Sequence, residues 1–216
     1  MKENINLFFI TSVINNFLPS VYSPDERLNQ TLLTISSIKK KVSNPYIVIL
    51  EGNLLSDVQK QAFKDSGTNE LLHHNVAQYN KSDGEAALII NYLNSSYYDK
   101  LIQNYNVETC NKFSGRYYFL DEHDFYQYSL DSFLIIKKEK DTWSNKPLCE
   151  TRYSRFPFSH AAIFKEKMNN LKNTGIYIDM EHTFYHYNIL PLEKVLNVDK
   201  LYVSGNIAPD GNLIID

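Results

Sequence analysis

The sequence predicts an α/β domain in which a mostly parallel central sheet is flanked by helices. Two observations lead there. Short β-branched runs alternate with helical apolar spacing through the first 120 residues, and capping signals mark the helix starts between them. At 216 residues and 43% hydrophobic, the chain is long enough for one good core and short for two, so it reads as one domain over 1–216.

The first strand covers residues 6–14, an apolar stretch that is short, Asn-flanked and without a small-residue cleavage site, so it reads as a buried strand and not a signal peptide. Ser23-Pro-Asp-Glu26 opens a helix: Ser23 caps, Pro24 fits the first turn and Glu26 completes a capping box. Leu28, Leu32, Ile35, Ile38 and Val42 then fall on one face before Asn44-Pro45 ends it. Tyr46–Leu50 has the character of a strand buried on both faces. Ser56 and Gln59 start a helix to about Lys64, and a weaker strand lies at Glu70–His73. Ser82-Asp-Gly-Glu85 has capping-box spacing and precedes Ala86, Ile90, Leu93 and Tyr97 on one face. Phe113–Leu120 reads as a central strand. Beyond residue 125 the pattern is irregular, with short strands at Ser132–Ile136 and Ala161–Phe164 and helices near Lys165–Leu171 and Met180–Tyr187.

Composition excludes some functions. A net charge of −3 gives no excess of cations for a phosphate backbone, so general nucleic-acid binding is not expected. Only Cys110 and Cys149 are present, without a CxxC pair, which fits a reducing, cytoplasmic location and not a structural zinc site. No run approaches the roughly 18 apolar residues of a membrane helix. Any membrane contact is then peripheral.

Ligands of an open α/β sheet sit beyond the carboxyl ends of its strands. Thr11 and Ser12 follow the first strand, Glu51 the second, and Asp121 to Asp124 the later one. Glu51 at such a position accepts hydrogen bonds from a base or ribose, or simply ends a strand in solvent.

Phe9-Ile-Thr-Ser-Val-Ile14, Ser23-Pro-Asp-Glu-Arg-Leu-Asn-Gln-Thr31, Ile49-Leu-Glu51, Ser82-Asp-Gly-Glu85, Ser114-Gly-Arg-Tyr117 and Glu181-His182 occur in an order that resembles small nucleotide-sugar glycosyltransferases of bacterial surface-polysaccharide clusters and some large DNA viruses. The resemblance spans nearly the whole chain, with Ser-Gly-Arg-Tyr its sharpest element. It implies a GT-A-like fold, a nucleoside-diphosphate sugar donor such as a UDP-sugar, a glycan or lipid-linked glycan acceptor, a role in polysaccharide biosynthesis, and a divalent metal. Residues 1–125 would then form the nucleotide-sugar-binding half and 126–216 the acceptor side.

Many such enzymes carry Asp-x-Asp at the metal, whereas this chain has Asp121-Glu-His-Asp124. Asp121 with His123 or Asp124 is the comparable set, joined by His182; oxygen ligands suit Mg²⁺ or Mn²⁺, and an imidazole favours Mn²⁺. The alternative is a solvated acidic turn. Arg116 is one of four arginines against eighteen lysines, and its planar fork matches diphosphate oxygens. Gly115 permits close backbone approach and Ser114 adds a hydroxyl; otherwise Arg116 pairs with Asp121 or Glu85 to hold the sheet. Asp83 is a sugar-contact candidate at a helix start, while Ser82 and Glu85 read as a cap. Arg152 and Arg155, set among aromatics, suit a phosphate clamp or a surface loop anchored by its rings.

Inverting glycosyl transfer needs a base for the acceptor hydroxyl. Asp179, Glu181 and His182 are the candidates, and the resemblance favours Glu181. Two other classes stay open: a different α/β enzyme acting on a nucleotide or phosphorylated metabolite, and a non-catalytic carbohydrate-binding module.

Overall fold

The structure is a computed structural model that describes residues 2–16, 20–206 and 211–215. The alternating first half comprises β1 (Asn4–Ser12), α1 (Pro24–Lys41), β2 (Pro45–Glu51), α2 (Asp57–Asp65), β3 (Glu70–His73), α3 (Lys81–Leu93), α4 (Ser96–Asn104) and β4 (Asn106–Ser114). Shorter elements follow: β5 (Tyr117–Phe119), β6 (Phe133–Ile135), β7 (Lys137–Lys138), β8 (Leu148–Cys149) and β9 (Tyr153–Pro157). The chain then passes through α5 (Ala161–Thr174), α6 (Met180–His186), β10 (Val195–Asn197), β11 (Val203–Asn206) and β12 (Leu213–Ile215).

Seven strands form the main sheet in the order β10-β6-β9-β4-β1-β2-β3. All run the same way except β9, which is antiparallel to β4 and β6. The fold is therefore the expected mixed α/β domain with a mostly parallel sheet. Side chains of β1 alternate between two cores, as a strand buried on both faces requires. Leu7 and Phe9 pack with Ile89, Phe164 and Phe184 from α3, α5 and α6, whereas Phe8 and Ile10 pack with Ile35, Ile38 and Phe63 from α1 and α2.

Helix starts follow the capping chemistry. Ser23 with Glu26 and Ser56 with Gln59 form full capping boxes. The expected box at Ser82 and Glu85 is not formed: Asn80 caps α3 by accepting from the Asp83 amide, so Glu85 lies a half-turn further in and is free for another task. Asn94 ends α3, and Ser95 caps a separate α4 that carries Tyr97, exposed and not on the α3 face.

The largest departure concerns the strand expected at Phe113–Leu120. The sheet strand is β4, which starts at Asn106, seven residues before Phe113, and leaves the sheet at Ser114. The Gly115 amide donates to the Thr11 carbonyl, and the chain turns into β5, which pairs with β11 in a separate three-stranded sheet. From there it is strapped along α1. Thr31 Oγ1 donates to the Gly115 carbonyl at 2.8 Å and Thr34 Oγ1 to the Tyr117 carbonyl at 2.6 Å. Ser37 Oγ then accepts from the Phe119 amide at 3.0 Å, and Lys41 donates to the Asp121 carbonyl at 2.6 Å. Residues 161–164, expected as a strand, open α5 instead. Among the described residues no helix is long and apolar enough to cross a membrane.

Candidate active site

A cavity of about 180 Å³ opens beyond the carboxyl ends of β1 and β4. Thr11 and Ser12 enter from β1, Ser114, Gly115 and Arg116 from the end of β4 and the turn after it, Arg27 and Thr31 from the first half of α1, and Lys81, Gly84 and Glu85 from the start of α3. This is where a parallel sheet exposes strand ends and helix starts together.

The wall is organised by an ion pair. Lys112 on β4 is fully buried, and its ammonium lies 2.6 Å from Glu85 Oε1. Glu85 also accepts from Thr11 Oγ1 at 2.9 Å and from Ser114 Oγ at 3.4 Å. Burial would raise the Glu85 carboxyl, but the adjacent Lys112, then Lys81 and the Thr11 hydroxyl outweigh it and bring it down to about 2. Glu85 is thus an anion whose Oε1 is already engaged by Lys112, Thr11 and Ser114.

Glu181, in the first turn of α6, faces this pair. Burial, followed by the nearby Glu85 charge, holds its carboxyl above the usual range, with Lys81 and Lys112 opposing. Thr151 Oγ1 donates to its Oε1 at 3.0 Å. Asp179 caps α6 and also accepts from His182 Nδ1 at 2.7 Å, while His182 Nε2 meets Ser144 Oγ at 2.6 Å. Both ring nitrogens of His182 are engaged in holding the α6 start, and the ring is buried.

Arg27 is buried, donating from Nε to the Val13 carbonyl at 2.6 Å and from one terminal nitrogen to Ser20 Oγ at 3.3 Å. Burial, then repulsion from Arg116, pushes it down to about 10, with Glu51 partly compensating. Arg116 is half-buried beside Tyr117 and donates to the Asn206 carbonyl at 3.5 Å.

The expected residues divide between this cavity and other places. Thr11, Ser12, Ser114, Gly115 and Arg116 line it. Glu51 does not; it is fully buried under the loop after β1, where Oε1 accepts from the amides of Ile14 and Asn53. Asp83 is bound to the Asn80 cap. Arg152 pairs with Glu150 at 2.9 Å and lies over the Tyr117 ring. Arg155 is fully buried and spends its fork on the carbonyls of Phe125, Tyr128 and Ser129, which corrects the expectation of a donor contact.

The metal set is not assembled. Because α1 carries residues 115–121 back toward the amino ends of the strands, Asp121 lies beside Lys40 at 2.6 Å, both exposed. His123 is buried, stacked on Phe119 at 3.8 Å, with Nδ1 against the Leu201 carbonyl; burial first, then the Arg155 charge, pushes it down to about 4 against that hydrogen bond. Asp124 accepts from the Tyr126 amide in the same exposed turn. Among the described residues no group of three or more His, Cys, Asp or Glu is arranged around a common point for a metal. The divalent metal expected at Asp121, His123, Asp124 and His182 therefore does not fit the residues present.

The sequence pattern marks no role for Lys112 or Arg27 and presents Glu85 as part of a cap. Lys112 sits two residues before Ser114, so its strand position pointed to the same face as that hydroxyl. Arg27 was visible as a rare arginine one turn into the first helix.

Sequence comparison finds no matching protein family and no matching curated protein. Structural comparison finds glycosyltransferases. GlyE of Streptococcus pneumoniae TIGR4 is similar over 91% of this chain at 7% identity, with a TM-score of 0.53. This chain spans only 46% of GlyE. A glycosyltransferase involved in the glycosylation of the major capsid of PBCV-1 is similar over 90% of this chain and 81% of its own, at 10% identity and a TM-score of 0.46. The likeness to GlyE establishes a shared fold.

Proposed function

We propose that the chain is a glycosyltransferase that moves a sugar from a nucleoside-diphosphate sugar to a hydroxyl of a glycan acceptor, free or lipid-linked. The observation that carries this reading is the cavity at the carboxyl ends of β1 and β4, lined by the cations Arg27, Arg116 and Lys81; the carboxylate Glu181, outside that lining, lies near enough to Glu85, Lys81 and Lys112 to feel their charges. A diphosphate needs the first group, and an acceptor hydroxyl needs the second. The shared fold with GlyE supports the same reading.

In an inverting reaction the acceptor oxygen attacks the anomeric carbon as the bond to the diphosphate breaks. The hydroxyl proton passes to Glu181, whose carboxyl, held above the usual range, is a stronger base than a solvated one. The diphosphate leaves with its electron pair and with its charge opposed by the cationic wall. Thr151 keeps the Glu181 carboxylate oriented. Cys110 and Cys149 are free and buried, which is consistent with a reducing, cytoplasmic setting.

The test is nucleotide release from a panel of nucleotide sugars, followed by calorimetric donor binding to Glu181→Gln. Loss of a positioned base is expected to slow transfer by about 10²–10⁴-fold while donor affinity holds. Release with undiminished rate in the variant removes Glu181 as base; no binding of any nucleotide sugar removes the transferase reading.

A further inference from the structure

Arg27 and Arg116 reach the cavity from separate elements, the second turn of α1 and the turn after β4. Each guanidinium has five N–H donors. Arg27 places two of them on Val13 and Ser20, and Arg116 places one weakly on Asn206. Among the described residues neither makes an ion pair.

Two like charges brought together in a partly enclosed wall raise the energy of the empty protein, and a dianionic ligand between them reverses the sign of that interaction. The acids nearby do not supply this charge. Glu85 is already committed to Lys112, Thr11 and Ser114. Glu51 is turned to the amides of Ile14 and Asn53. The end of β4 carries Ser114-Gly115-Arg116 with Lys112 behind it, so the strand end that would offer carboxylates to a metal offers cations.

We propose that Arg27 and Arg116 together clamp the donor's diphosphate and supply the positive charge for which other enzymes of this reaction use a divalent metal. The inference rests on the transferase reading above for the nature of the anion. Planar forks approaching from α1 and from the β4 turn grip the two phosphoryl groups from two sides, each pairing bidentately. As the sugar's anomeric bond breaks, the charge left on the diphosphate develops between them.

The experiment measures binding of inorganic pyrophosphate and of UDP by calorimetry in excess EDTA, on wild type, Arg116→Gln, Arg27→Gln, Arg27→Lys and Asp121→Ala. Binding is expected in EDTA, weakened at least about tenfold by either glutamine, partly kept by Arg27→Lys, and unchanged by Asp121→Ala. Binding that appears only with Mn²⁺ or Mg²⁺, or that survives both glutamine variants, overturns the clamp. If Arg27→Gln does not fold, the half-buried Arg116 decides alone. Arginine-dependent binding in EDTA without turnover of any nucleotide sugar leaves the clamp standing and removes the transferase. Transfer that requires metal does the opposite.

Discussion

Replacing Glu85 by glutamine tests the buried pair on which the site is built. Lys112 has no exposed side-chain surface, and without the carboxylate its ammonium keeps only Ser114 Oγ and the Thr151 carbonyl. Breaking one side of a buried pair costs about 3–5 kcal/mol, because the remaining charge is left uncompensated. The pH linkage gives a similar size: a carboxyl held at about 2 and not 4.5 represents about 3 kcal/mol at about 1.4 kcal/mol per pH unit. For a domain of this size that lowers the melting temperature by roughly 10 °C. The sign of the pH dependence is fixed by the direction of the shift. A depressed acid stabilises fully above its unfolded pKa and loses that contribution as pH falls, so the gap between wild type and variant is constant from pH 8 to about 5 and closes toward about pH 2. Thermal unfolding of both proteins across that range is the assay. Glu85→Gln with Lys112→Met should recover much of the loss, since an apolar pair leaves no stranded charge. A single variant that melts within about 2 °C of wild type, or a gap that ignores acid, would refute the reasoning.

Two further changes have outcomes set by the same structure. A methyl group on Gly205 would lie 2.3 Å from the Arg116 carbonyl and 2.9 Å from the Tyr117 Cα; Gly205→Ala should push β11 off β5, lower the melting temperature, and weaken pyrophosphate binding by displacing Arg116. Burial raises Glu51 to about 7 despite its hydrogen bonds to Ile14, Ser12 and Asn53 and the Arg27 charge. A raised acid stabilises below its unfolded pKa and loses that as pH rises, so wild type should weaken through about pH 7 in chemical unfolding, and Glu51→Gln should abolish that slope and be the more stable protein at pH 9.

How much of this was legible follows the range of the interactions. The capping boxes at Ser23 and Ser56 and the apolar runs of β1 and β2 are decided within a few residues, and the structure has them where the sequence predicts. The strand β4 was misplaced because Thr109, Asn111 and Lys112 look like surface residues while all three are fully buried. Their partners are remote: Asn6 for Thr109, the Leu7 carbonyl for Asn111, and Glu85 for Lys112. A periodicity argument counts polar residues as exposed and has no access to partners on other elements of the fold. Glu85 departs from its expected role for a local reason: a capping-box spacing exists at Ser82, but Asn80 lies two residues earlier and takes the cap.

The misplaced strand also explains why the expected metal acids and the expected diphosphate arginine part company. Read as one strand, residues 113–120 would carry Asp121 to the same sheet end as Thr11. In the fold, Gly115 passes so close to the Thr11 carbonyl and Thr31 that an added Cβ would sit 3.1 Å and 3.0 Å from them, and the chain reverses there. Arg116 stays at the cavity because it follows the turn directly. Asp121 is six residues past Gly115, and the α1 residues that hold the two, Thr31 and Lys41, are separated by about 15 Å of helix at about 1.5 Å per residue, so α1 carries that path toward the opposite end of the sheet. The turn at Gly115 thus decides which charge the donor meets: it leaves a guanidinium at the strand end and removes the carboxylates, and Arg27 stands on the same helix that carries them away.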